Sequence, residues 1–458
     1  MKRLILLVLV LNITFMLMRY ICIRWLIHAL LMGLILLAII TLTKDIQRDY
    51  HGNIARKGQK YIELLSKQSV NKETITAKSI LGKRYSFPEK FNDSTLDMNH
   101  IELLENEEKF YKAVFETIKK AKKHIHIEYF ILKDDVIGTK FKELLIQKRR
   151  EGVEVRLLYD GLGTLLIKPK YIQQLQKEGI ETAAFSPIWE GVYHLSINHR
   201  NHRKLLVVDG KTCITGGRNI ADEYFGEKTE IGEWKDIDIL IEGTSTKQLQ
   251  IVFLRDWYVA TGKALTDKVY FAVGENAGQV PMQIVTGGPD SPQNNIEHTY
   301  FSLINKAEKQ IHIITPYFIP SESIVIAIEN AVLRGVDVEI LIPIDSDNVV
   351  AKYATNIWGK RLTKSGVKVY KFTGGFTHNK MITVDGHVAS VGTANFDYRG
   401  MQRDYEILCI IYDRGYTERL IEIFNGYLSR AYKVEVQGEE SLTHLAGMQL
   451  IKMIRGSL

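Results

Sequence analysis

Short apolar runs alternate along the chain with longer segments whose apolar residues recur every three to four positions. Early in this pattern, residues 106–123 and 139–150 have helical spacing, and residues 125–132 and 153–159 are apolar runs of strand length. Strands that alternate with helices predict an α/β fold, with mixed, mostly parallel sheets flanked by helices on both faces.

The same order of elements occurs a second time. Residues 303–319 echo residues 118–131, and residues 334–341 echo residues 151–158. A repeat of this length indicates two tandem copies of one domain that face each other, with a break near residues 262–280. The predicted segments are two transmembrane helices (1–43), a connector (44–95), repeat 1 (96–265), repeat 2 (280–435) and a carboxy-terminal tail (436–458).

The amino terminus carries two apolar runs. Residues 4–18 fall short of the ~20 residues that span a bilayer, whereas residues 25–42 are long enough. A basic start before a short apolar core also fits a cleavable secretory signal, but no small-residue cleavage site follows, so two closely spaced membrane helices are favoured. Basic residues after the second run predict a cytoplasmic main body, which Arg19 and Arg24 between the runs oppose.

Composition narrows the function classes. An apolar content of 45% and a charged content of 25% indicate a globular protein, and 458 residues suffice for two domains. The net charge of +7 fits an anionic lipid surface or a nucleic acid and does not decide between them. Three scattered cysteines and the absence of zinc-site spacing predict no disulfide framework, no metal and no cofactor.

One short pattern occurs once in each copy. Both copies read His-x-Lys-x-x-x-x-Asp-Gly, and an Asn follows seventeen residues after each His. The shared residues are His202, Lys204, Asp209 and Asn219 in the first copy, and His378, Lys380, Asp385 and Asn395 in the second. Each motif runs into an apolar strand, so that its His and Lys, two residues apart, project together. Asp-Gly between apolar runs predicts a hairpin that returns each Asn beside its His–Lys pair.

These residue types suit attack on a phosphodiester. A neutral imidazole can form a covalent phosphohistidine, and a second His can protonate the leaving alkoxide and then deprotonate the incoming hydroxyl. Lys and Asn donors can hold the phosphoryl oxygens through the transition state. Because each copy supplies one His, we predict one site shared by both copies. The alternative explanation, a surface hairpin with a polar edge, accounts for a single copy of the pattern more easily than for two. A separate alternative concerns Asp209 and Asp385, which as hairpin turn formers can be structural.

The paired motifs resemble those of the phospholipase D superfamily, and the surrounding sequence is similar to bacterial cardiolipin synthases within it. The similar stretches are 129–135, 151–160, 198–202, 288–292, 315–320 and 392–397. The resemblance implies acidic partners for the imidazoles at Asp236 and Glu406, which would fix the tautomer that leaves one nitrogen free. The segment 400–405 departs from the usual continuation of the second motif, which concerns the choice of second substrate more than the chemistry.

The resemblance further implies an activity. The expected enzyme is a multi-pass cell-membrane phosphatidyltransferase that converts two phosphatidylglycerol molecules into cardiolipin and glycerol. Its partners would be anionic membrane lipids and not nucleic acid, because a nuclease would not need the apolar runs. The alternatives are hydrolysis or transfer on another phospholipid diester, and a membrane-anchored binding protein with a dead site. The sequence assigns neither the nucleophilic His nor the oligomeric state.

Overall fold

The computed structural model describes residues 46–65 and 96–435, except 166, 194–198, 227–229, 273–277 and 292, together with positions 16 and 32. Within these residues, no helix combines the length and the apolar character needed to cross a bilayer. The two apolar runs predicted as transmembrane helices lie outside the described residues apart from Met16 and Met32, and so does the predicted tail.

The elements follow in the order that the sequence pattern predicts. The helices are α1 (46–65), α2 (Glu107–Lys120), α3 (Val136–Arg150), α4 (Pro169–Lys177), α5 (Ile188–Tyr193), α6 (Ser245–Thr261), α7 (Asn295–Lys306), α8 (Glu322–Leu333), α9 (Val349–Lys364), α10 (Tyr398–Gln402) and α11 (Arg414–Leu428), with 3₁₀ turns at Asp222–Phe225 and Lys268–Phe271. The strands are β1 (Leu96–Leu104), β2 (His124–Tyr129), β3 (Glu154–Asp160), β4 (Glu181–Phe185), β5 (Leu205–Val208), β6 (Thr212–Gly216), β7 (Trp234–Lys235), β8 (Asp238–Gly243), β9 (Val280–Gly287), β10 (Gln310–Ile314), β11 (Asp337–Pro343), β12 (Lys368–Phe372), β13 (Phe376–Thr377), β14 (Met381–Val384), β15 (Val388–Gly392), β16 (Glu406–Ile411) and β17 (Ala431–Lys433).

Fifteen of these strands form one continuous sheet. Its order is β17-β12-β11-β10-β14-β15-β16-β9-β1-β8-β6-β5-β2-β3-β4, and the other two strands, β7 and β13, pair with each other. Outward from the central β1–β9 pair, each half places its strands in the same order, with β17 added at one edge. The structure therefore contains two copies of one strand arrangement, joined edge to edge. The segment limits given above remain predictions.

The expectation of mostly parallel sheets is wrong. Among the described strands, four of the fourteen neighbouring pairs in the large sheet are parallel, namely β2–β3, β3–β4, β10–β11 and β11–β12. The remaining pairs are antiparallel, because the motif hairpins β5–β6 and β14–β15 and the return strands β8, β16, β1 and β9 occupy the centre. Helix–strand alternation governs the outer strands, while hairpins govern the strands that carry the site.

Apolar residues on the two faces of the sheet build separate cores. In β5, Leu205 and Val207 pack into a core shared by both halves, whereas Leu206 and Val208 pack into a core of the first half. The shared core is covered by α1, α6 and α11, through residues such as Tyr61 and Trp257. This alternation fixes the register of the motif strand, because a slip of one residue would exchange its two faces.

Candidate active site

The two His-x-Lys segments meet where the halves adjoin. The backbone N–H of His202 donates to the carbonyl of Tyr405 at 3.0 Å, and that of His378 donates to the carbonyl of Lys235 at 2.7 Å. The short pair of β7 with β13 aligns Thr377 with Lys235 immediately before His378. Each motif is thus bonded to the segment of the opposite half that leads into a predicted acidic partner.

The side chains follow the same crossed arrangement. His202 Nδ1 lies 2.8 Å from Glu406 Oε1, and His378 Nδ1 lies 2.7 Å from Asp236 Oδ2. In each pair the histidine and the carboxyl group come from opposite halves of the chain. At His202, a carboxylate that accepts from Nδ1–H leaves the Nε2 lone pair free, which is the tautomer needed for attack or for proton transfer. At His378, Lys380 Nζ lies 2.7 Å from Nδ1 and 3.1 Å from Nε2, so the ammonium group contacts both ring nitrogens.

The two lysines are buried beside the histidines. Lys204 Nζ donates to the carbonyl of His202 at 2.7 Å, and Lys380 Nζ donates to the carbonyl of His378 at 2.5 Å. Both lysines are 1% exposed, and Lys380 Nζ also lies 3.8 Å from Asp236. Two ammonium groups held in a dry cluster form a strong attraction for a phosphoryl group.

Burial shapes the protonation of the imidazoles. It lowers the pKa of His202 well below its usual range, and the Lys204 ammonium adds to that effect. Burial, followed by the charges of Lys380 and Lys204, likewise lowers the pKa of His378. Both imidazoles are therefore neutral at pH 7, as a nucleophile must be.

The same burial acts on the surrounding charges. It lowers the pKa of Lys204 to about 7 and raises the pKa of Glu406 to about 8. The pKa of Lys380 is lowered and that of Asp236 is raised, again mainly by burial. A dry cluster disfavours isolated charges, so an entering phosphodiester anion would stabilise the protonated lysines that it contacts.

The motif aspartates, predicted among the catalytic residues, lie elsewhere. Asp209 and Asp385 occupy the hairpin turns with φ of 55° and 53°, at the far ends of β5 and β14. Asp209 is five positions after Lys204, a span of roughly 16 Å in an extended strand. The structure therefore does not bring the two aspartates into the His–Lys cluster.

Each aspartate instead caps a backbone turn. The Asp209 carboxylate accepts the N–H groups of Lys122, Lys123 and His124 at 2.8–2.9 Å. The Asp385 carboxylate accepts the N–H groups of residues 308, 309 and 310 at 2.7–3.2 Å. The aspartates tie the hairpin to the start of the neighbouring strand and so position the motif without touching the cluster.

The asparagines occupy different bonding situations. Asn219 Oδ1 accepts the N–H of Ile131 at 3.0 Å, which anchors this side chain to the loop after β2. Among the described residues, Asn395 Oδ1 has no hydrogen-bond partner, although its side chain is 7% exposed. An unpaired buried acceptor is costly, so the second asparagine is the better placed of the two to bind a substrate group.

Sequence reasoning missed several residues that shape the cluster. The Thr393 hydroxyl donates to Glu406 Oε2, and the corresponding position in the first half is Gly217. Arg203, between the motif His and Lys, contacts Asp256 and donates to the carbonyls of Gly287 and Glu406 at 3.2 and 3.4 Å. The variable positions inside the motif carried the only signal for these residues, and it was too weak to identify their partners.

No metal site emerges near this cluster. Across the part of the chain that the structure describes, no group of three or more His, Cys, Asp or Glu side chains is arranged to hold a metal ion. Cys213 and Cys409 are buried free thiols in β6 and β16, and burial raises the pKa of the Cys409 thiol to about 12.

Comparison with known proteins assigns the chain to a family. A family model described as "Cardiolipin synthase, PLD-like domain" matches residues 114–257 and 300–428. The chain belongs to the cardiolipin synthase PLD-like domain family. The two matched stretches contain the two His–Lys motifs, so the resemblance seen in the sequence is confirmed.

Curated relatives agree with the family model. The chain is 39% identical over 337 residues to "Cardiolipin synthase 2" of Bacillus anthracis. The aligned region covers 73% of this chain and 65% of that protein. The chain is also 39% identical over 337 residues to "Cardiolipin synthase" of Geobacillus sp. (strain WCH70), covering 73% of this chain and 67% of that protein. The matched part thus spans about two thirds of these relatives.

A solved structure shares the fold of this family member. The crystal structure of phosphatidylserine synthase from Haemophilus influenzae Rd KW20 superposes with a TM-score of 0.59 at 18% identity. The match covers 82% of this chain and 97% of that one, so the whole arrangement of two joined halves recurs there.

Proposed function

We propose that the chain is a membrane-associated phosphatidyltransferase that converts two phosphatidylglycerol molecules into cardiolipin and glycerol. The observation that carries this proposal is the crossed arrangement, in which each motif histidine is paired with a carboxyl group from the opposite half. The arrangement supplies two oriented imidazoles and two buried lysines in one place. The similar proteins are named cardiolipin synthases, which supports cardiolipin as the product.

In the first step, Nε2 of one histidine attacks the phosphorus of a phosphatidylglycerol. The bond from phosphorus to the headgroup glycerol breaks, and the second histidine, protonated once the substrate has bound, donates a proton to the leaving alkoxide. Glycerol departs, and a phosphatidyl-histidine remains. Lys204 and Lys380 hold the negative phosphoryl oxygens as charge shifts in the transition state.

In the second step, the histidine that donated the proton in the first step acts as a base. It removes a proton from the terminal headgroup hydroxyl of a second phosphatidylglycerol, whose oxygen attacks the phosphorus. The bond between phosphorus and the nucleophilic histidine breaks, and cardiolipin leaves. The proton that this histidine takes up replaces the one that it donated in the first step. The two steps therefore balance without an oxidant, a reductant or a metal ion.

The location of the enzyme follows from its substrate. Because both lipids lie in a bilayer, the apolar runs at residues 4–18 and 25–42 are proposed to anchor the chain as two membrane helices. The basic residues after the second run place the catalytic part on the cytoplasmic side in this proposal.

The test is a chelator-treated membrane preparation supplied with labelled phosphatidylglycerol alone, followed by separation of the lipid products. We expect cardiolipin and free glycerol in equal amounts, and neither product from His202→Ala or His378→Ala. Phosphatidic acid in place of cardiolipin would make water the acceptor and contradict the transferase. Full activity in either variant would exclude the proposed site.

A further inference from the structure

A cleft of about 550 Å³ lies beside the catalytic cluster. It is bounded by α1, by the loop before the first motif, by the turn after β9 and by α10. Its polar lining includes Arg48, His51, His199, Ser291, Gln402 and Arg403. Its described lining does not include His202 or His378, so the cleft is a neighbour of the cluster and not the cluster itself.

We name this cavity the headgroup cleft. Contacts between buried side chains hold its walls in place. His51 and His199 are 7% and 9% exposed, and they contact each other through Nε2 and Nδ1 with ring centroids 4.2 Å apart. α1 is fixed in place because the Tyr61 hydroxyl donates to the carbonyl of Leu265 at 2.5 Å and the Tyr61 ring stacks on Tyr258.

The electrostatics of the headgroup cleft favour an anion. Arg48 and Arg403 line it from two different elements. The pKa of His199 is lowered to about 3 by burial and then by the charges of Arg403, Arg399 and Arg200, so positive charge dominates around this imidazole. The carboxylate in the lining, Asp290, faces the guanidinium of Arg255, whose pKa it helps to raise.

The headgroup cleft and the His202–Glu406 pair share two adjoining segments. His199 precedes His202 by three residues, and Arg403 precedes Glu406 by three. The segments are bonded together, since the N–H of Tyr405 donates to the carbonyl of Arg200 at 2.9 Å and the N–H of His202 donates to the carbonyl of Tyr405. Three extended residues span at most about 10 Å, so each shared segment connects the cleft to the His202–Glu406 pair over that length of chain.

The headgroup cleft is also lined by the first helix that the structure describes. The described part of α1 starts at residue 46, four positions after the second apolar run ends in the sequence. Tyr50, one residue before His51, is within reach of Ser186 and Glu190 at the start of the aromatic α5 segment. There Trp189 and Tyr193 are 66% and 79% exposed, which is typical of side chains that rest in a membrane interface.

We propose that the headgroup cleft binds the phosphate of the acceptor phospholipid and directs its terminal glycerol hydroxyl toward the phosphatidyl-histidine. The proposal rests on the function proposed above and names the acceptor subsite of that reaction. Arg48 and Arg403 would bind the acceptor phosphate, while Ser291 and Gln402 offer neutral polar groups to its glycerol. The acceptor hydroxyl loses its proton to the catalytic base and forms the new bond to phosphorus, and the bond to histidine breaks.

Two alternative acceptor substrates distinguish binding in the headgroup cleft from the chemistry at the histidines. A phosphatidyl-histidine can react with phosphatidylglycerol to give cardiolipin, or with labelled glycerol to give labelled phosphatidylglycerol. Glycerol has no phosphate and therefore gains nothing from Arg48 and Arg403. In full-length protein on phosphatidylglycerol vesicles, the ratio of cardiolipin formation to glycerol exchange therefore reports acceptor binding.

We expect Arg403→Gln to lower this ratio about tenfold, since it removes one hydrogen-bonding charge from the phosphate. Arg48→Gln, on a different element, should lower the ratio in the same direction. The control is Arg414→Gln, which changes an exposed arginine outside the headgroup cleft that pairs with Glu418. A second readout is binding of the inactive His378→Ala protein to phosphatidylglycerol vesicles, which Arg403→Gln should weaken.

An unchanged ratio in both cleft variants would overturn the acceptor subsite while leaving the transferase intact. If wild-type protein performs neither reaction, the proposed function itself fails. Millimolar glycerol phosphate in solution distinguishes the source of the phosphate. Competition that weakens in Arg403→Gln would support phosphate binding in the headgroup cleft, whereas reaction of glycerol phosphate as an acceptor as efficiently as phosphatidylglycerol would overturn a lipid-borne acceptor.

Discussion

The two halves of the active site share a layout but differ in its details. Around His202, the carboxyl group belongs to Glu406, whose second oxygen accepts the Thr393 hydroxyl. Around His378, the shorter Asp236 takes this role, and the position matching Thr393 is Gly217. The longer acid leaves room for an added donor, while the shorter acid requires the backbone to approach closely.

The surroundings of the imidazoles also differ. The His378 side chain is 6% exposed and is close to the rings of Trp234, Phe376 and Tyr224, with the nearest ring centroid 4.8 Å away. The His202 side chain is 14% exposed and has the Phe130 ring 5.0 Å away. Duplication has thus produced a more open histidine and a more enclosed one, so we infer that His202 is the nucleophile and His378 the acid and base.

Removing either imidazole should have the largest effect. We expect His202→Ala and His378→Ala each to lower the rate of cardiolipin formation by at least about 10⁴-fold, as for other catalytic groups that act as a unit. Wild-type protein quenched in denaturant at mildly alkaline pH, digested and analysed by mass spectrometry, should carry the phosphatidyl adduct on the peptide containing His202. An adduct on His378 instead would reverse the assigned roles.

The next largest effect should come from the pair Gly217 and Thr393. A Cβ atom at Gly217 would lie 2.2 Å from Asp236 Oδ1, so Gly217→Ala must displace the acid that orients His378. We expect about a hundredfold lower kcat from such a displacement, and about a tenfold decrease for Thr393→Ala through the lost hydrogen bond to Glu406. Equal losses in steady-state assays would mean that the two halves do not differ in this way.

The pH dependence tests the charges around His202. Glu406, with its pKa raised to about 8, must be ionised to accept from Nδ1–H, so activity is lost as pH falls. Lys204, with its pKa lowered to about 7, must be protonated, so activity is lost as pH rises. The product of the two fractions gives a kcat/KM plateau between pH 7 and 8 that falls about tenfold per unit on either side.

The control for this profile is Glu406→Gln, whose side chain does not titrate. It should lower kcat/KM and abolish the acidic limb, while the alkaline limb remains and moves to lower pH because the Glu406 charge helps to raise the pKa of Lys204. A profile with the same acidic limb in this variant would assign that limb to another group.

The smallest effect on catalysis is expected at the motif aspartates. Asp209→Ala should lower the free energy of unfolding by about 2 kcal/mol, because three backbone N–H groups lose their acceptor. We expect kcat of the folded protein to change less than threefold, and Asp385→Ala to behave alike in the second half. Chemical denaturation together with kcat measures both quantities, and a large loss of kcat at unchanged stability would return the aspartates to the catalytic set.

Local sequence patterns predicted the motif hairpins and the shared cluster correctly. Asp-Gly turns and apolar strands are set by neighbouring residues, and the structure contains them at Asp209 and Asp385 with positive φ. The mostly antiparallel sheet was missed because helix–strand alternation was given more weight than those same hairpins, which already implied antiparallel pairs.

The crossed pairing could not be read from the sequence. His202 and Glu406 are 204 positions apart, and His378 and Asp236 are 142 apart. Within each copy, an acid at the start of a strand follows the motif, Asp236 after His202 and Glu406 after His378, which suggests pairing inside one copy. The docking of the two halves decides otherwise, and docking depends on surfaces that no local pattern describes.

The continuous sheet limits how this enzyme can move. β1 pairs with β9 across the junction of the halves and with β8 within the first half, so the junction is made of backbone hydrogen bonds. A hinge between the halves would have to break them during every turnover. The two imidazoles are therefore held at a fixed separation, and the proposed lipid substrates would have to enter and leave without a hinge between the halves, so that any gating is left to parts of the chain outside the sheet.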